Sequence, residues 1–154
     1  MNTLILLISK LESKIIFYDR INHSISGESV GWHIEHSLKT IDQIIIATKN
    51  SNTESYKWKF NFYRLLILDI LNKIPRGKAK APKIVRPEGT INPELLQLSI
   101  QKAKENIDGW NDLNKNAFFP HPYFGDLNKK PTEKFLALHT NHHLKIIDDI
   151  LKLD

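Results

Sequence analysis

Residues 136–153 read LALHTNHHLKIIDDILKL, and within them Leu136, His139, His143, Ile146, Ile150 and Leu153 follow one another at steps of three and four. That spacing keeps side chains on one face of an α-helix. The stretch therefore predicts a helix from about Pro131 to Leu153 whose buried seam carries two histidines in places where leucine or isoleucine is the usual choice. Burying an imidazole without a partner costs about 1–3 kcal/mol, so something must compensate.

The same period recurs four times upstream. Residues 3–21 put Leu4, Ile8, Leu11, Ile15 and Tyr18 on one stripe, and residues 29–49 do so with Val30, Ile34, Leu38, Ile41 and Ile45. Residues 56–74 align Phe60, Tyr63, Ile67, Ile70 and Ile74. The fourth segment starts at Pro93, a first-turn proline after Asn92, and runs through Leu96, Ile100, Ala103, Ile107 and Trp110. No segment sustains a period of two, and neither an internal repeat nor a composition break divides the chain. A single all-α domain over residues 1–154 is predicted, with four core helices and one additional helix. Prolines and glycines make residues 75–89 a loop. The stretch from Ala117 to Gly125 is too aromatic for a casual linker and is expected to fold back over the core.

Composition fits that reading. A chain of 154 residues can bury roughly 70% of its unfolded surface, and 41% hydrophobic with 25% charged residues is ordinary for a globular protein. Cysteine is absent, which excludes disulfides, thiolate ligands and a cysteine nucleophile. The apolar start Leu4-Ile5-Leu6-Leu7-Ile8 is too short for a membrane span and has no basic residue before it, so a cytoplasmic protein is expected. The net charge of +5 permits weak attraction to polyanions and indicates little else.

His139 and His143 lie four apart, which on a helix brings their Cβ atoms within about 5–6 Å and lets both rings converge on one ion. A divalent ion in a catalytic site usually takes three protein ligands. The third is sought on the second segment, where periodicity favours His33, nearer the main apolar stripe, over His36, which shares the opposite side with Trp32, Thr40, Gln43 and Ala47. A plainer account competes, in which Asn, Thr or backbone carbonyls hydrogen-bond the rings. His142 is adjacent to the pair but turned off its stripe, and His23 falls in a loop where exposure is the default.

Further signals come from three motifs: Ser29-Val30-Gly31-Trp32-His33-Ile34-Glu35-His36-Ser37-Leu38, Leu138-His139-Thr140-Asn141-His142-His143-Leu144, and His121-Pro122-Tyr123-Phe124-Gly125. In order and separation they resemble the second-helix, last-helix and pre-helix signatures of the DinB-like (YfiT-like) metalloenzyme superfamily, the last in an uncharacterised branch with His-Pro-x-Phe-Gly. The resemblance spans residues 29–144. It implies a DinB-like four-helix bundle with a three-histidine site near one end, binding a divalent metal such as Ni²⁺ or Zn²⁺, and it assigns the third ligand to His36 where periodicity prefers His33. The segment at 56–74 and the basic loop after it depart from the shortest members.

Characterised members include thiol-dependent S-transferases and a thiol-dependent isomerase. With no cysteine of its own, the chain would need a low-molecular-weight thiol as cosubstrate beside a small-molecule substrate. Metal-dependent hydrolysis and non-catalytic metal or ligand binding stand as alternatives. No general base is evident. Glu35 is turned about 100° from His36. His121 reaches the site only if its loop folds over it, and is otherwise a structural hydrogen-bonder. Trp32, Trp110, Phe119 and Tyr123 are pocket candidates or plain core, with His33 and His142 as further neighbours of the ion. Arg76, Lys78, Lys80, Lys83 and Arg86 form a basic loop, but with three prolines and no aromatic residue it does not suit nucleic acid. No membrane partner is expected, and a homodimer is allowed.

Overall fold

Ser29 and Asn92 set the starts of two helices. The Ser29 hydroxyl accepts from the Trp32 amide at 3.2 Å and the Asn92 side chain from the Leu95 amide at 2.8 Å, each satisfying an amide that a helix start leaves unpaired. In the computed structural model, which describes residues 1–77 and 81–152, these helices are α2 (Val30–Lys49) and α4 (Pro93–Ile107). The others are α1 (Asn2–Glu12), the single turn α3 (Phe62–Arg64) and α5 (Lys129–Leu151). Lys78 and Lys80 of the basic loop, and Leu153 at the end of the last stripe, lie outside the described residues.

The chain is mostly helical, with one small addition. Phe118–His121 (β1) and Gly125–Asn128 (β2) pair antiparallel as a hairpin, with Phe119 opposite Leu127. Phe119, Phe124 and Leu127 are buried, so the aromatic linker does fold onto the core. Each strand has only four residues, Pro120 falls within the first and Pro122 in the turn, so a period of two had no length over which to show.

α2 packs on both α4 and α5, and α1 packs on the same two. The apolar seams of these four helices meet in one core, where Ile8, Leu11, Ile34, Leu38, Ile41, Ile45, Ile100 and Leu136 have no exposed surface. Two expected helices are shorter than their stripes. α1 stops at Glu12, and a 3₁₀ turn at Ile15–Phe17 follows. The chain beyond that turn serves α2 instead: Tyr18 and Arg20 carbonyls accept from the Gly31 and Val30 amides at 2.8 and 2.9 Å.

The segment at 56–74 differs more. Helix begins only at Asn61, whose side chain caps Arg64, and it widens into a π-helix over Leu65–Leu71 that ends at Asn72 in a left-handed conformation, φ 46. A π-helix bonds i to i+5, so residues at steps of three and four no longer share a face. Leu68 is the buried residue here, while Phe60, Tyr63 and Ile70 of the predicted stripe are exposed. The π-helix packs on α5.

Gly31 is where close approach requires glycine. A Cβ there would stand 2.9 Å from the Tyr18 carbonyl oxygen and 2.9 Å from Ile91 Cγ2. Gly31→Ala gains about 1 kcal/mol of helix propensity but forces backbone apart, at about 1–3 kcal/mol. A net loss in the urea midpoint is expected, and an unchanged or higher midpoint would refute the close packing.

Candidate metal centre

α2 and α5 lie side by side and bring four histidines together. One ring nitrogen each from His36, His139 and His143 falls within 4.8 Å of the others, and among the described residues this group is positioned to hold a metal ion. Zinc ligands at 2.0–2.1 Å and tetrahedral angles sit about 3.4 Å apart, so the trio is somewhat wider than a closed tetrahedral site. His36 and His143 are buried, while His139 keeps some exposed surface.

Each ring is held differently. His36 Nδ1 lies 2.9 Å from the Val85 carbonyl; it must donate there, which leaves Nε2 with its lone pair for an ion, the usual arrangement of a ligating histidine and its outer partner. His139 Nδ1 is buried with no hydrogen-bond partner. An orphaned buried nitrogen in a seam of leucines is what a site for a cation leaves behind when only the protein is considered. His143 Nδ1 lies 3.0 Å from His33 Nδ1, and His33 Nε2 lies 2.9 Å from Ser26 Oγ. For His143 to present Nε2, its Nδ1–H donates to His33, and His33 Nε2–H then donates to Ser26. The Ser26 oxygen also accepts from the Glu28 amide.

The electrostatics keep all four rings neutral. Burial first, and then the repulsion a second proton would meet from His36, His142 and Arg76, push His33 down to about 4. Burial lowers His36 too, opposed by its bond to Val85. His139 and His143 are pushed well down by burial first and by the neighbouring histidines second. Neutral imidazole is the form that binds metal.

The convergent trio thus contains His36 and not His33, against the periodicity. Both stripes of α2 are covered near the site: His33 and His36 are both buried, and the turn Lys83–Val85 brings its Val85 carbonyl onto His36. Trp32 stacks on His36 at 5.0 Å and 16° and meets His33 edge-on at 5.3 Å. His142 touches His143 edge-on at 5.1 Å and hydrogen-bonds the Ile74 backbone. His121 stays outside the cluster: its Nδ1 accepts from the Tyr123 and Phe124 amides, and its ring packs on Phe135, which in turn contacts His139. Tyr123 is 59% exposed on the hairpin turn and joins no part of the cluster. Trp110 and Phe119 are core, and His23 is exposed. Glu35 is half-buried, with one carboxylate oxygen sealed and unpartnered, beside a cleft lined by Pro87, Ile91 and Lys102. Val85 and Ser26 were not singled out from sequence; a backbone acceptor carries no side-chain signal, and a loop serine is too common to mark.

Comparison with known family models, with curated proteins and with solved structures returned no match. No helix among the described residues is long and apolar enough to cross a membrane.

Proposed function

We propose that the protein is a divalent-metal-binding helical bundle of the DinB-like (YfiT-like) type, with His36, His139 and His143 as ligands, and that it is a metal-dependent enzyme transferring a low-molecular-weight thiol to a small-molecule substrate. The observation that carries the metal reading is the convergent trio of ring nitrogens, one member of which, His139, has a buried Nδ1 without a partner. The ring of helices α1, α4, α2 and α5, with the motifs falling on α2, the hairpin and α5, supports the bundle type.

An ion held by three neutral imidazoles keeps its charge and an open position, and so supplies Lewis-acid polarisation of a thiol, carbonyl or water. The chain's own residues do the rest. Val85 and His33 orient His36 and His143, and Trp32 covers His36 against water. The absence of cysteine fits a thiol supplied from outside.

The test pairs His36→Ala with His33→Ala in protein purified without an affinity tag. His36→Ala is expected to lower metal content to background. His33→Ala is expected to retain metal with an affinity lowered about 10- to 100-fold, the usual effect of losing an outer partner. Equal loss in both would make His33 a ligand, and loss in neither would end the site. Metal-dependent consumption of a small thiol in the presence of an electrophile, abolished with His36→Ala, is the corresponding activity result.

A further inference from the structure

The extended segment before α3 reads Tyr56-Lys57-Trp58-Lys59-Phe60-Asn61, alternating ring and cation. Backbone angles are extended at Tyr56 (φ −61, ψ 123) and at Asn61 (φ −140, ψ 114). Tyr56, Trp58 and Phe60, at every second position, together line a groove of about 600 Å³. Arg64, Lys130 and Lys134 line it as well. That volume is in the range of small-molecule sites, roughly 300–1,000 Å³.

This wall is fixed in place. Arg64 donates to the Lys59 and Asp126 carbonyls, Asn61 donates to the Tyr123 carbonyl at 3.0 Å, and Tyr56 packs on Phe118 at 5.6 Å. Yet Trp58 is 68% and Phe60 65% exposed. Arg64, which lines the same groove, lies over the Trp58 ring at 5.9 Å from its centre. Rings pinned in water, with cations around them, are built for something flat and negative.

Charge selects among occupants. Arg64, Lys130 and Lys134 line the groove against Asp69, which Lys134 takes at 2.8 Å, and this leaves Arg64 and Lys130 as the excess charge. A second copy docking through a two-fold axis would set these cations against themselves. The occupant is therefore an anion.

We propose that this groove, separate from the histidine cluster, binds a small molecule combining a planar aromatic ring with a phosphate or carboxylate, a nucleoside monophosphate being representative. The ring stacks on Trp58 beside Tyr56 and Phe60, and the anion meets Lys130 and Arg64.

The test is calorimetric titration of the full chain with AMP, in chelator so that metal plays no part, against adenosine and inorganic phosphate as half-ligands. AMP is expected to bind at least about 10-fold tighter than either. Trp58→Ala is expected to weaken it about 5-fold or more, since a stacked base is worth about 1–3 kcal/mol, and Lys130→Ala to weaken it with a reduced salt dependence. Both side chains are exposed, so both variants should fold, and circular dichroism checks this. No binding at about 1 mM AMP, wild-type affinity in Trp58→Ala, or a native dimer that Trp58→Ala converts to monomer would each overturn the proposal.

Discussion

Replacing His139 by leucine is expected to stabilise the metal-free protein and at the same time to abolish its response to metal. The position belongs to a helical seam that otherwise calls for leucine, and its Nδ1 is buried without a partner. Removing an unpaired buried polar atom recovers about 1–3 kcal/mol, offset in part by imperfect packing of the new side chain. In the native protein, a divalent ion at 100 times its dissociation constant adds about 2.7 kcal/mol. For a chain of this size that is about 5–10 °C in Tm, and the variant should show none of it. Thermal melts with and without Zn²⁺ or Ni²⁺ separate the cases. A variant less stable than its parent in chelator, or one still stabilised by metal, would mean that His139 is a structural residue and no ligand.

Acid is expected to unfold the protein earlier than its carboxylates require. His33 and His121 are pushed down to about 4 by burial, from an ordinary value of 6.5. Between those values the unfolded chain binds protons that the folded chain refuses. Stability from these groups is fully present above about pH 6.5 and is lost as pH falls toward 4. A tenfold change in proton affinity is worth about 1.4 kcal/mol, so each ring contributes on the order of 3 kcal/mol, and His36, His139 and His143, lowered by burial as well, add in the same direction. Urea midpoints at pH 7 and pH 5 measure the fall. His121→Asn keeps an acceptor for the Tyr123 and Phe124 amides without the ionisation, and should reduce the pH slope by close to one proton. An unchanged slope would show that His121 protonates freely in the fold.

How much of this was legible beforehand depends on how local each feature is. The seams of α1, α2, α4 and α5 could be read because helical geometry ties residues three and four apart to one face. Ser29, Asn92 and Pro93 announced helix starts for equally local reasons. The π-helix could not be read, since its widened turns leave no trace in a pattern assumed to repeat every 3.6 residues. The hairpin was hidden by its brevity and its prolines.

The order of residues along the chain is enough to establish a helical protein with two histidines stacked on one face of its last helix, because a spacing of four places them there. Which histidine of α2 joins them is settled only when the helices pack: His36 completes the trio and His33 stands behind it. That choice rests on Val85, forty-nine residues away, accepting from one ring, and on Ser26 orienting the other. A carbonyl brought in by a distant loop leaves its mark on no side chain, so only folding reveals it.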